Sequence, residues 1–242
     1  VRAAVLERLA RTRFKKLPSE FAAPLLALAK RPEGLNEDPA GYIRVRRAAM
    51  EALGRVDSAD GHRWLLEELG KREIDINYLS GFAAAAARIS TPASLGTLRA
   101  AIVTQKGRGA GYHRRAASAL GLATNGEVFP IIQDTLKANP GNNELARAIL
   151  KGTVENHELR ETQEFANLVR DIALDEQTFT EELRAEAVEL LDDVKYESAK
   201  QALTEIVAKA PGERLKASAK RALDANFPAP PPAKEEKGKK KK

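Results

Sequence analysis

One pattern of apolar positions recurs along this chain. Val45, Ala49 and Leu53 lie at i, i+4 and i+8, the spacing of a single helix face, within a run that ends at Gly54. Tyr78, Phe82 and Ala86 repeat that register 33 residues on, and Tyr112, Ala116 and Leu120, followed by Gly121, repeat it after a further 34. Later copies are Leu145 with Ile149, then Leu183, Ala187 and Leu191, then Leu215, Ala219 and Leu223. We call these the B helices. Arg2 to Ala10 reads as one more, with Val1, Val5 and Leu9 turned inward.

Between them lie segments with apolar faces of their own, the A helices: Pro18 to Lys30, Ser58 to Lys71, Thr91 to Thr104, Glu127 to Lys137, Glu161 to Leu174 and Glu197 to Lys209. Ser58 and Thr91 suit helix starts, and Pro92 stands where the first amide has no partner to lose. Asn139-Pro140-Gly141 and Pro211-Gly212 supply turn geometry between helices. A helix of about a dozen residues is marginal alone in water, so each must bury its face against neighbours. Paired helices repeating at this period stack so that each unit touches the units before and after it. The expected fold is therefore all-α: a right-handed α-α superhelix, or α-solenoid, of about six helix pairs plus an orphan N-terminal helix. It spans residues 1–227, with residues 228–242 as a proline-rich, then lysine-rich, disordered tail.

Composition agrees, with aromatics at 5% and Ala, Leu, Glu, Lys and Arg prominent. Cysteine is absent, which removes disulfides, thiolate metal ligands and a cysteine nucleophile. No run reaches the roughly 18 apolar residues of a membrane-spanning helix. The expected compartment is the cytoplasm. Of the net charge of +6, the tail holds +4, through Lys234, Lys237 and Lys239 to Lys242 against Glu235 and Glu236, leaving +2 on the body. A basic pI is thus poor evidence for a nucleic-acid groove. The tail itself is suited to weak, salt-sensitive contact with nucleic acid or anionic lipid.

Arg46-Arg47-Ala48-Ala49 with Ala52-Leu53-Gly54, and Arg114-Arg115-Ala116-Ala117 with Ala119-Leu120-Gly121, resemble HEAT repeats, in particular the short bacterial kind shared with phycobilin lyases. The resemblance covers residues 1 to about 227. The fourth repeat, around Ala146 to Gly152, departs from it by lacking the Ala-Leu-Gly ending. What it implies is an armadillo-like scaffold that binds a protein partner on a concave face lined by B helices. An A helix ahead of Arg2 would complete the first pair, so the chain reads as the C-terminal segment of a longer protein.

Arg46, Arg47, Arg114, Arg115, Arg147 and Arg184 recur on the B helices and form a candidate ladder for an acidic peptide or a phosphate backbone. The competing reading pairs them with turn carboxylates such as Asp38, or with glutamates of the next repeat, as structural ties. Gln105 to Gly111 is glycine-rich ahead of a B helix and makes Arg108 and His113 the candidate anion ligands. It lacks the Gly-Lys-Ser/Thr ending of a P-loop. His157-Glu158-Leu159-Arg160-Glu161 ends in Glu where a zinc-protease helix needs a second His, so no metal or other cofactor is expected. Trp64 reads as core.

Three functions remain open. The first is a non-catalytic protein-interaction scaffold. The second is the non-catalytic C-terminal helical domain of a larger enzyme: aminopeptidase-N-like zinc metallopeptidases resemble this plan, ending in a helical repeat domain that covers the catalytic cleft. The third is a nucleic-acid-binding solenoid.

Overall fold

The computed structural model describes residues 2–10, 16–32, 38–103, 110–154 and 156–228. Among them are fourteen α-helices, two short 3-10 segments and no strand, only an isolated bridge between Leu17 and Val56. The helices are α1 (Arg2–Ala10), α2 (Ala22–Lys30), α3 (Pro39–Leu53), α4 (Ala59–Gly70), α5 (Ile76–Ile89), α6 (Pro92–Val103) and α7 (Ala110–Ala117). They continue with α8 (Val128–Ala138), α9 (Asn143–Val154), α10 (His157–Arg160), α11 (Gln163–Leu174), α12 (Glu181–Glu189), α13 (Glu197–Lys209) and α14 (Glu213–Asn226).

They pack in two rows. α1, α3, α5, α7, α9, α12 and α14 each touch the next in that order, and α4, α6, α8, α11 and α13 do the same on the other side. Within each pair the A helix lies against the B helix that follows it, from α2 on α3 to α13 on α14. Among the described residues, the main helix–helix contacts are made within a pair or with the adjacent pair. Most of the apolar face expected for the B helices is buried: Ala49, Leu53, Phe82, Ala86, Ala116, Leu120, Leu145, Ile149, Leu183, Ala187, Leu191, Leu215 and Ala219 are enclosed, while Val45, Tyr78 and Leu223 are half-buried at its edge and the Tyr112 side chain lies outside those described. Each leucine so buried contributes about 1.5–3 kcal/mol of transfer free energy.

Local signals set the helix starts. The side chains of Asp38, Ser58, Asp75, Thr162 and Thr180 each accept an amide hydrogen bond from the first turn that follows, satisfying donors that have no partner inside the helix. α5 ends at Ser90, held in the left-handed region at φ 50°. Small residues set how closely the B row packs. A Cβ on Gly54 would lie 2.6 Å from the Ala85 carbonyl oxygen, and one on Gly121 would lie 2.0 Å from the Gly152 carbonyl carbon. At both places backbone meets backbone, and no larger residue fits.

Two expectations need correction. α1 does not turn Val5 inward: Val5 is 54% exposed, while Leu6 and Ala10 are buried. The face is rotated by one position because α3 is its neighbour, and the Arg44–Glu7 pair and the Arg55 bond to the Ala10 carbonyl hold it there. The short helix α10 was not expected; Asn156 starts it, its side chain accepting from the Leu159 amide at 3.4 Å.

Candidate functional site

The six B-row arginines do not share one environment. Arg46 is half-buried on α3; its Nε donates to the Ala29 carbonyl at 2.9 Å, one of the last-turn carbonyls that α2 cannot satisfy itself. Its guanidinium carbon lies 4.2 Å from the Tyr78 ring centroid and 5.6 Å from that of Tyr42. Burial of the Tyr78 phenol raises its pKa, against the lowering effect of Arg46. Arg47, one position on, is exposed and has no ion-pair partner among the described residues. It lines a cleft of about 270 Å³ with Glu7, Arg44, Glu51 and Ser80.

Further along, Arg114 donates from Nη1 to Glu144 at 2.5 Å, Arg115 to the Ile76 carbonyl at 3.0 Å, and Arg147 from Nε to Glu186 at 2.7 Å. The bond and charge of Glu186 raise the pKa of Arg147. Arg184 differs from all of them. It is only 7% exposed, and its Nε and Nη1 have no hydrogen-bond partner among the described residues. Arg108 lies outside the described residues, as does most of the glycine-rich loop; His113 falls on α7, but its side chain is not among those described. Asp38 is occupied by the amides of Ala40 and Gly41, so it caps α3 and is not an arginine partner.

Six arginine–carboxylate pairs bridge adjacent helix pairs: Arg44–Glu7, Arg88–Glu51, Arg114–Glu144 and Arg147–Glu186 along the B row, Arg99–Asp134 and Arg170–Glu205 along the A row. A second set of ties is absent from the reading of the sequence. Side chains at or just past the end of a B helix reach back one repeat to carbonyls at the end of the preceding B helix. Asn125 donates to Ser90 at 2.7 Å, Asn156 to Gly121 and Ala123 at 3.0 and 2.6 Å, and Asn226 to Leu191 at 3.0 Å. Arg55 likewise reaches back, to the Ala10 carbonyl at 2.6 Å, whereas Arg160 reaches forward, to the Leu190 carbonyl at the end of α12, at 2.7 Å. Burial, then the charge of Arg88, lowers the pKa of Arg55, while Glu51 and Glu158 raise it. The available signal was an asparagine recurring at or just beyond the ends of three B helices; read locally, each is only a helix-end or turn residue.

Trp64, expected in the core, is half-buried and packs edge-on to Phe82 at 5.6 Å between centroids, with Lys30 Nζ 5.3 Å from its ring centre. It borders a second cleft of about 270 Å³ rather than sitting inside the stack. Among the described residues no three His, Asp or Glu side chains cluster closely enough to hold a metal ion, and no helix is long and apolar enough to cross a membrane.

No family model matches the chain, and no curated protein matches it in sequence. Among solved structures, the fold is similar to the crystal structure of Legionella pneumophila aminopeptidase A in complex with aspartic acid, with a TM-score of 0.63 at 18% identity. The match covers 85% of this chain and 26% of that one, so this chain spans about a quarter of the length of its structural neighbour. At that identity the likeness concerns the fold alone.

Residues 1–121 hold 21 Lys and Arg against 12 Asp and Glu, whereas residues 122–233 hold 13 against 20. The body is near neutral only because its two halves offset each other.

Proposed function

We propose that this chain is a non-catalytic α-solenoid of HEAT-like repeats, a right-handed superhelix, that serves as the helical domain of a larger aminopeptidase-N-like zinc metallopeptidase. The observation that carries the reading is the fold likeness to a quarter of an aminopeptidase chain, over most of this one. It is supported by the two-row packing and by side chains that tie each repeat to the next. In this role the domain contributes no zinc ligand and no general base. It shapes access to chemistry housed in another part of the protein, and it needs no cofactor of its own.

The test is to obtain the intact gene product and assay it on aminoacyl amide substrates with and without a zinc chelator. Chelator-sensitive aminopeptidase activity, with a His-Glu-x-x-His helix outside residues 1–242, is the expected result. An intact product that is repeat throughout and hydrolyses nothing would overturn it.

A second reading, a free-standing scaffold for an acidic protein partner in the cytoplasm, is favoured by one observation: Arg47 is exposed and unpaired beside the Arg44 cleft, in the half of the chain where cations predominate. Stable co-purification of a protein in moderate salt, lost on Arg47→Glu, is its signature. A nucleic-acid-binding solenoid is the weakest of the three, because four of the six candidate arginines are bonded to protein carboxylates or carbonyls. It requires affinity that falls steeply with salt. Contact of the lysine tail with nucleic acid or anionic lipid concerns residues outside those described.

A further inference from the structure

The cleft beside Trp64 has a chemistry of its own. It lies between the end of α2, the middle of α3, α4 and the start of α5, and its lining includes Trp64, Tyr78 and Phe82 with Glu68, Glu73 and Asp75. Ring faces carry negative potential and attract cations, most strongly where carboxylates stand nearby. The chain itself already places cations there. Arg46 lies over Tyr78, anchored by its bond to the Ala29 carbonyl. Lys30 lies over Trp64, exposed, with no carboxylate partner among the described residues.

The three carboxylates are not equivalent. Glu68 is engaged by Lys71 at 2.5 Å, and Asp75 caps α5 through the Asn77 amide. Glu73 is exposed and has no partner among the described residues. One ring thus holds a loosely placed ammonium, and one carboxylate at the same cleft holds nothing. We propose that this cleft binds the guanidinium of an arginine side chain presented by a partner polypeptide, which displaces Lys30 from Trp64 and pairs with Glu73. A guanidinium is the better occupant because it is planar, stacks on an indole face, is more weakly hydrated than an ammonium, and meets a carboxylate with two parallel donors. The inference is independent of whether the chain belongs to a peptidase.

Trp64 is the only tryptophan in the sequence, so its emission reports on this cleft alone. The experiment titrates the full chain with N-acetyl-arginine amide and, in parallel, with N-acetyl-citrulline amide, which has the same shape without the charge. The expected result is a saturable change in Trp64 emission with the arginine compound, at a Kd on the order of 1 mM for so small a ligand, and none with citrulline. Lys30→Met removes the resident cation and tightens binding about fivefold; Glu73→Gln weakens it about as much, both being exposed positions where helicity by circular dichroism stays unchanged. Equal responses to arginine and citrulline, or no saturable response in either the native chain or Lys30→Met, would overturn the proposal.

Discussion

The first repeats and the last share one helical plan and are held together by different polar chemistry. Around α3, α4 and α5, cations rest on aromatic rings and on helix-end carbonyls: Arg46 on Tyr78 and the Ala29 carbonyl, Lys30 on Trp64, Arg55 on the Ala10 carbonyl. Around α12, α13 and α14, Asn226 and Arg160 satisfy the carbonyls of Leu191 and Leu190, Arg147 pairs with Glu186, and carboxylates outnumber cations. The apolar face is much the same in both, which is why the fold repeats. The lesson is that polar residues are free to diverge once the small and apolar positions are kept, so the two ends of one array can present surfaces of opposite sign.

The largest effect comes from the shared part of the plan. Gly54→Ala drives a Cβ into the Ala85 carbonyl and is expected to cost about 3 kcal/mol, at the upper end of overpacking effects. Urea denaturation measures it, with Gly96→Ala as a control. Nothing lies within 4 Å of a Cβ there, so the control should gain up to about 1 kcal/mol from helix propensity alone.

The polar ties separate the two regions. Arg46→Gln removes a half-buried bond to a carbonyl and a ring contact, and should cost about 2 kcal/mol. Arg184→Met acts in the opposite direction. It replaces a buried cation that has no partner among the described residues with an apolar chain of similar length, and should raise stability by about 1–2 kcal/mol. A loss of that size would reveal a partner for Arg184. The smallest effect belongs to the C-terminal surface: Arg147→Gln breaks a partly exposed pair and should cost less than about 1 kcal/mol, shrinking further in 1 M salt.

Much of this was legible in the chain itself. The bounds of α13 and α1 coincide with those read from the apolar spacing, and Leu145 and Ile149 are buried even though the fourth repeat lacks the Ala-Leu-Gly ending. Periodicity works here because every helix must bury one stripe. It fails where the partner helix decides which of two neighbouring stripes is used, as on α1, where Leu6 replaces Val5. Site residues were harder to read for a related reason. Arginine spacing reveals a row but not whether Glu144, Glu186 or the Ile76 carbonyl lies opposite, since each of those partners sits 30 to 39 residues away in sequence. The Asn125, Asn156 and Asn226 ties were missed because a bond to the preceding repeat has no local signature.

The central claim is that this array shapes access to chemistry placed elsewhere, and a separation of parts tests it most directly. Aminopeptidase activity should be measured for the intact gene product, for residues 1–242 alone, and for the product with these residues removed. The account predicts chelator-sensitive activity in the intact product, none in residues 1–242, and altered substrate-length selectivity when they are deleted. Hydrolysis by residues 1–242 alone, or an intact product with no peptidase activity, would contradict it.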